Sequence, residues 1–173
     1  VLSNRPDAAG LAHAAAAGIP ARALDHRMYG ADRAAHEAAL DSALRDAGIE
    51  FVCLAGYMRR LTPVLVNTWA GRMLNIHPSL LPAFPGLDTH ARALAAGVKL
   101  HGCTVHLVTE GVDEGPILAQ AAVPVLANDT EASLAARVLA QEHRLYPAAL
   151  AALASGRAGI APAAEAVLAN PMG

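Results

Sequence analysis

Aromatic side chains are scarce in this sequence: one Trp, three Tyr and two Phe make up 3% of 173 residues, although hydrophobic residues reach 54%. A core of large rings is excluded, so Ala, Val, Leu and Ile must fill the interior, which favours helices packed closely on a sheet. Neither sign of charge is in excess. Thirteen basic and fifteen acidic residues are well mixed and leave a formal net charge of −2. That removes the electrostatic case for nucleic acid or an anionic membrane and leaves small-molecule chemistry. Cysteine is limited to Cys53 and Cys103, both in apolar strand-like runs and without Cys-x-x-Cys spacing. Buried reduced thiols of a cytosolic protein are expected, with no structural zinc and no metal requirement. No run reaches the ~18 apolar residues of a membrane span, and the start has no basic segment leading into an apolar one. A soluble, cytoplasmic chain is expected. No repeat or linker divides it, its length fits one domain with a sizeable core, and Gly-x-Gly-x-x-Gly does not occur.

What is present reads as alternating strands and helices. Val1 to Asn4 ends a strand, and Asp7 is placed to cap a helix over 8–17 that Gly18 stops. A short strand over 19–24 and a loop over 25–30 precede a longer helix over 32–47, with Ala35, Ala39, Leu40, Ala43 and Leu44 on one stripe and Gly48 as its stop. Phe51 to Ala55 is an uninterrupted apolar run, the pattern of a fully buried strand. The loop 56–61 leaves its carboxyl end, where ligands gather in open α/β sheets, and Thr62-Pro63 opens a short helix. Residues 89–96 are helical. Residues 101–108 alternate, with Gly102, Thr104, His106 and Val108 on one face of a strand and Cys103, Val105 and Leu107 on the other. Ile117 to Val125 is the expected hairpin partner, which makes the sheet mixed. Asp129-Thr130 caps a long helix from Glu131 to about Leu153, expected to be interrupted near Pro147; 156–160 reads as an edge strand and 161–173 as a tail.

Chemistry concentrates in Asn75-Ile76-His77-Pro78-Ser79-Leu80-Leu81-Pro82. Met73 to Ile76 reads as a buried strand, and Pro78 biases His77 away from helical geometry and ends the ladder. With a side-chain period of two, Asn75 and His77 share a face, which sets an amide donor beside a titratable imidazole. Further along, Val112-Asp113-Glu114-Gly115-Pro116 places a carboxylate in a turn before the strand at Ile117. Carboxylate, imidazole and amide converge if the two strand ends are neighbours. Singly, each is commonly structural, since a lone Asn or Asp in a turn caps backbone groups. Together they suit carbonyl chemistry, and no general structural rule requires the combination.

These stretches resemble the folate-dependent formyltransferases, most closely the members that formylate glycinamide ribonucleotide in purine biosynthesis. The resemblance runs from Leu2-Ser3-Asn4-Arg5 to about Gly159 and is carried by Asn75 to Pro82, Pro85 to His90, Thr109 to Pro116 and Gln141-Glu142-His143. It implies the formyltransferase fold: α/β, a Rossmann-like and mostly parallel twisted sheet with helices on both faces and an antiparallel C-terminal hairpin, in a single domain over 1–160. It implies 10-formyltetrahydrofolate as co-substrate and glycinamide ribonucleotide as acceptor, in a monomer or homodimer. Asn75, His77 and Asp113 match the family's catalytic positions. Met58, Arg59, Arg60, Leu61, Asn75, Thr109, Glu110, Gly111 and Val112 match its folate contacts, with Arg33 for the glutamate tail, and Leu139, Ala140, Gln141 and Glu142 match those to the ribonucleotide. Thr104 and His106 stand second, as site-facing residues or as partners for buried polar neighbours. Ser79 has no expected chemical role. The bond before Pro82 is expected to be cis.

The family opens with a strand and a glycine-rich turn that hold the nucleotide's phosphate. Val1 falls about where the family's second strand ends, so that first strand and its phosphate anchor are expected to be missing. Three other readings remain. A 10-formyltetrahydrofolate hydrolase shares the Asn, His and Asp and activates water, although Pro78 to Pro82 with Pro85-Gly86 favours amine transfer. A methionyl-transfer-RNA formyltransferase needs a C-terminal RNA-binding domain. A non-catalytic folate-binding remnant accounts for a missing phosphate loop but not for an intact Asn75, His77 and Asp113.

Overall fold

The computed structural model describes residues 1–157 and the backbone of 167–169. It divides into two compact units, residues 1–50 with 60–68, and residues 51–59 with 69 onward. In the first unit β1 (Leu2–Ser3) pairs in parallel with β2 (Arg22–Ala23), accompanied by α1 (Ala9–Ala16), a 3-10 turn at His26–Tyr29, α2 (Arg33–Asp46) and α3 (Pro63–Thr68). Asp7 does not cap α1. Ala8 holds that position without a side-chain bond, because the Arg5 guanidinium takes both oxygens of the Asp7 carboxylate. Asp32 does cap α2, accepting from the Ala35 N–H.

The buried stripe of α2 is His36, Glu37 and Leu40, rotated from the alanine-rich stripe that periodicity alone selects. Buried polar groups are tolerated when paired, and both are. His36 Nε2 donates to the Leu24 carbonyl at 2.9 Å, and the Glu37 carboxylate accepts from the Thr62 N–H and hydroxyl just ahead of α3. A carboxylate at a helix start is favoured by the free N–H groups there.

The second unit holds a five-stranded sheet of β3 (Val52–Leu54), β4 (Met73–His77), β5 (Leu100–Leu107), β6 (Ile117–Pro124) and β7 (Val167–Ala169), in that spatial order. The outer pairs, β3 with β4 and β6 with β7, are parallel; the inner pairs are antiparallel, with β5 and β6 forming the expected hairpin. β3 is half-buried and not fully buried, and Cys53 is exposed. Among the described residues it is the terminal strand of this sheet and pairs on one side only. Gly156 lies in a turn and Arg157 in a bend; 158–160, the rest of the expected edge strand, lie outside the described residues, and β7 falls in the stretch that reads as a tail.

Leu74, Cys103, Val105, Leu107, Ala119, Ala121 and Val123 pack on one face of the sheet against Ala93 of α4 (Thr89–Ala95) and Leu134, Val138, Leu145 and Ala149 of α5 (Glu131–Ala154). This is the small aliphatic core that the composition demands. A capping box between Thr130 and Ser133 starts α5, which runs unbroken through Pro147. An interior proline costs a helix about 3 kcal/mol. Leu145 and Ala149 on either side of it are buried in the core, and the Tyr146 hydroxyl oxygen lies 2.8 Å from the Leu54 carbonyl oxygen and 3.0 Å from that of Leu74, both within reach of its single O–H. Burial of that stripe and the tyrosine anchor outweigh the local breaker.

Gly102 lies where β5 and β6 leave no room, since a Cβ there would come within 1.9 Å of the Ala121 carbonyl oxygen and 2.9 Å of Leu80 Cδ2. Gly102→Ala is expected to destabilise the chain by about 2 kcal/mol or more through forced backbone displacement. Urea denaturation checks this: the midpoint falls at unchanged slope, whereas a loss below about 0.5 kcal/mol would mean that the hairpin relaxes freely.

Candidate active site

The opposite face of the sheet is polar. Asn75 pairs with His106 and His77 with Thr104 across β4 and β5, and Thr104 pairs with Gln120 across β5 and β6. Asp113 reaches this face from the loop between β5 and β6. Its backbone turns through a positive φ of 56°, and the Gly86 N–H donates to Oδ2 at 2.9 Å. Oδ2 lies 3.4 Å from His77 Nδ1 and Oδ1 lies 3.8 Å from His106 Nε2. The other nitrogen of His77, Nε2, donates to the Phe84 carbonyl at 3.0 Å. Carbonyl and carboxylate oxygens only accept, so each ring nitrogen of His77 faces an acceptor.

Amide, imidazole and carboxylate therefore converge, but by a different route from neighbouring strand ends. β5 lies between β4 and β6, and it inserts His106 between the groups. Asn75 Nδ2 lies 3.2 Å from His106 Nε2. The period-two alternation of β5 placed His106 on this face; its contact with Asn75 depends on a cross-strand register that a sequence does not state.

A rigid shelf supports the cluster. Leu81–Pro82 is cis, as the resemblance implied. The Thr104 hydroxyl donates to the Ser79 carbonyl at 2.6 Å and accepts from the Leu81 N–H at 3.0 Å and Gln120 Nε2 at 2.9 Å. Gln120 Nε2 also donates to the Leu81 carbonyl. Ser79 donates to the Ala83 carbonyl and is fully buried, a structural role. Thr104 thus belongs to the support. The support roles of Gln120, and of the Phe84 and Gly86 backbone groups that hold His77 and Asp113, were missed from sequence; only alternation against Thr104 could have marked Gln120.

The other candidate residues fall in several places. The loop with exposed Met58 and half-buried Arg59 leaves β3 just after Leu54, which pairs with Asn75. Thr109, Glu110 and Val112 are exposed and Gly111 half-buried in the Asp113 loop. Arg33, the first residue of α2, and Arg60 and Leu61 belong to the first unit. On α5, Leu139 and Ala140 are exposed while Gln141 and Glu142 are half-buried. Glu142 continues the stripe of Leu134, Val138, Leu145 and Ala149, so it leans toward the sheet. Burial there pushes its carboxyl above the usual range, with His143 and His77 opposing. Burial likewise drives the Cys103 thiol up to about 12, helped by Glu142, and holds the His106 imidazole below its ordinary value against the Leu107 carbonyl and Asp113. Among the described residues no group of three or more His, Cys, Asp and Glu is arranged to hold a metal, and no helix is long and apolar enough to cross a membrane.

An amide N–H, an imidazole and a carboxylate on one half-enclosed face can steady a carbonyl oxygen and move a proton, with no nucleophilic side chain among them. Comparison with known proteins agrees with that chemistry. Human trifunctional purine biosynthetic protein adenosine-3 is 50% identical over 156 residues, 90% of this chain and 15% of its own length. The phosphoribosylglycinamide formyltransferase of Escherichia coli (strain K12) is 46% identical over 157 residues, 91% of this chain and 74% of its own. The chain thus spans a small part of the human relative and about three quarters of the bacterial one. The crystal structure of glycinamide ribonucleotide transformylase 1 from Symbiobacterium toebii superposes with a TM-score of 0.88 at 53% identity, covering 91% of this chain and 74% of that one. A family model described as formyl transferase matches residues 1–150, and the chain belongs to the formyl transferase family.

Proposed function

We propose that this chain transfers the formyl group of 10-formyltetrahydrofolate to the amine of glycinamide ribonucleotide, a step of purine biosynthesis. The observation that carries the reading is the convergence of Asn75, His77 and Asp113 on one sheet face. The names of the relatives support the choice of acceptor. The two units are taken as parts of one formyltransferase domain over 1–160, supported by a family match that runs over 1–150.

The acceptor's neutral amine attacks the formyl carbon and gives a tetrahedral intermediate with its negative charge on the former carbonyl oxygen. Asn75 donates an amide N–H to that oxygen, and His77, held at Nδ1 by Asp113, donates a second hydrogen bond or a proton from Nε2 once the substrate oxygen takes the place of the Phe84 carbonyl. A proton passes from the attacking nitrogen to the folate nitrogen, the bond from carbon to that nitrogen breaks, and tetrahydrofolate leaves. The loops at Met58 to Leu61 and Thr109 to Val112, with Arg33, are assigned to the folate. Leu139, Ala140, Gln141 and Glu142 are assigned to the ribonucleotide. Glu142 fits the role because it places a carboxyl group where apolar packing alone would favour a leucine.

The test is formyl transfer by the full chain, with formate release followed in parallel. Transfer supports the reading; formate release without transfer replaces it with a hydrolase, and folate-analogue binding with neither reaction replaces it with a binding remnant. His77→Ala and Asp113→Ala are each expected to lower turnover by about two orders of magnitude, the scale of a lost acid or oxyanion donor. A near-normal rate in either would remove that residue from the mechanism.

Glu142 yields a prediction with opposite signs for binding and stability. Its carboxyl titrates higher in the folded chain than in the unfolded one, so the folded chain holds a proton that the unfolded chain has released. Stability is then full below the unfolded value and is lost as pH rises through the folded one. Glu142→Gln is therefore expected to raise the melting temperature at about pH 7 while raising KM for glycinamide ribonucleotide about tenfold. A lowered melting temperature with unchanged KM would assign the residue to packing.

A further inference from the structure

His106 is 3% exposed and touches the proposed machinery without belonging to it. Its Nδ1 lies 3.0 Å from the Leu107 carbonyl oxygen and its Nε2 3.2 Å from Asn75 Nδ2. We propose that His106 is a positioning residue for formyl transfer: held as the Nδ1–H tautomer by the Leu107 carbonyl, it accepts from Asn75 at Nε2 and so fixes which way the Asn75 amide faces. The proposal rests on the formyl-transfer reading for its consequence, but its geometry stands without it.

Each step follows from what the atoms are able to do. A backbone carbonyl only accepts, so Nδ1 carries a hydrogen. A neutral imidazole has one N–H, so Nε2 presents a lone pair. An amide oxygen cannot donate to it, so Asn75 must turn its nitrogen toward His106. One hydrogen of that nitrogen is then committed to His106. The other, at a fixed angle in the amide plane, remains for the formyl oxygen, and Oδ1 is left facing away from the ring. Asparagine oxygen and nitrogen have nearly the same shape, and nothing else among the described residues hydrogen-bonds the amide to tell its two ends apart. Protonation of His106 would reverse the order, since an Nε2–H attracts the amide oxygen. Burial, with His77 nearby, disfavours that charge, while Asp113 Oδ1 at 3.8 Å and the Leu107 carbonyl favour it.

The backbone is built to keep the Leu107 carbonyl in place. Between Val105 and His106 the register with β6 slips, from Val105 opposite Ala119 to His106 opposite Ile117. Such a bulge re-aims a side chain beside a site. Gly115 crosses directly over the same carbonyl: a Cβ there would lie 1.7 Å from the Leu107 oxygen and 3.4 Å from His106 Nδ1. Only glycine lets the Asp113 loop pass that close.

The test has two parts. Long-range proton–nitrogen correlation spectra of the full 15N-labelled chain at about pH 7.5, with His106→Gln for assignment, should give His106 a pyrrole-like Nδ1 and a pyridine-like Nε2. An Nε2–H tautomer or an imidazolium overturns the proposal whether or not the chain transfers formyl groups. In kinetics, His106→Leu should lower kcat about 30-fold with KM for both substrates within about 3-fold, a loss confined to the transition state. His106→Gln, whose Oε1 can accept the same N–H, should recover to within about 3-fold of the parent. Adding His106→Leu to Asn75→Ala should cost nothing further, because the histidine acts through the asparagine. Equal losses in the Leu and Gln variants, or losses that multiply with Asn75→Ala, overturn it.

Discussion

In an antiparallel pair, residues that face each other across the strands share a side of the sheet. In β4 and β5 this rule separates two chemistries. Leu74 lies opposite Leu107 and Ile76 opposite Val105, and they meet α5; Asn75 lies opposite His106 and His77 opposite Thr104, and they meet the proline-rich segment and the Asp113 loop. A slip of one residue would bury His77 and Asn75 in the aliphatic core and expose Leu74. The hydrophobic cost of that slip holds the register, and the register holds the site. Core and candidate site are two faces of one packing decision.

The polar face is costly to bury, and it is made affordable by saturation with hydrogen bonds. Thr104 is fully buried, yet its hydroxyl donates once and accepts twice, which is all it can do. Around it the segment from Ser79 to Phe84 is bound by side chains of β5 and β6 and by its own turns. His77 and Asp113 then take their positions from backbone groups of that segment, the Phe84 carbonyl and the Gly86 N–H. A pair of side chains held by rigid backbone keeps its geometry better than one on free loops. The residues between Pro78 and Gly86 serve mainly to orient two side chains.

Much of this was legible in the sequence, for physical reasons that differ by residue. Alternation over 101–108 was correct because β5 is long and has one aliphatic side, the condition under which a period of two carries information. The Asn75 and His77 pair, the hairpin and the cap at Thr130 were readable on the same local grounds. What failed were inferences that needed a partner. An apolar run predicts a buried Cys53, but among the described residues β3 ends the sheet. Pro147 was read as an interruption because local propensity cannot see Tyr146 anchored to two strands. Asp7 was read as a cap because Arg5 competes for it only in three dimensions. Hydropathy places the α2 stripe on Ala35, Ala39, Leu40, Ala43 and Leu44, because it cannot see that the Leu24 carbonyl and Thr62 supply partners to His36 and Glu37.

The same distinction explains why the candidate site could be seen in outline and not in mechanism. Residue types reveal which groups could act, whereas rate depends on where their unpaired hydrogens and lone pairs point before substrate arrives. At Asn75 that direction is set by a chain of small necessities: a carbonyl that cannot donate, a ring with one N–H, an amide with two unlike ends. None of these is visible in the spelling Asn-Ile-His-Pro. Each becomes fixed once β5 lies beside β4 with His106 opposite Asn75, and the closeness of Gly115 to Leu107 keeps it fixed. An oxyanion donor aimed in advance avoids the reorganisation that water or a rotating amide would require during reaction. A glycine two residues beyond the carboxylate can therefore matter to formyl transfer without touching either substrate.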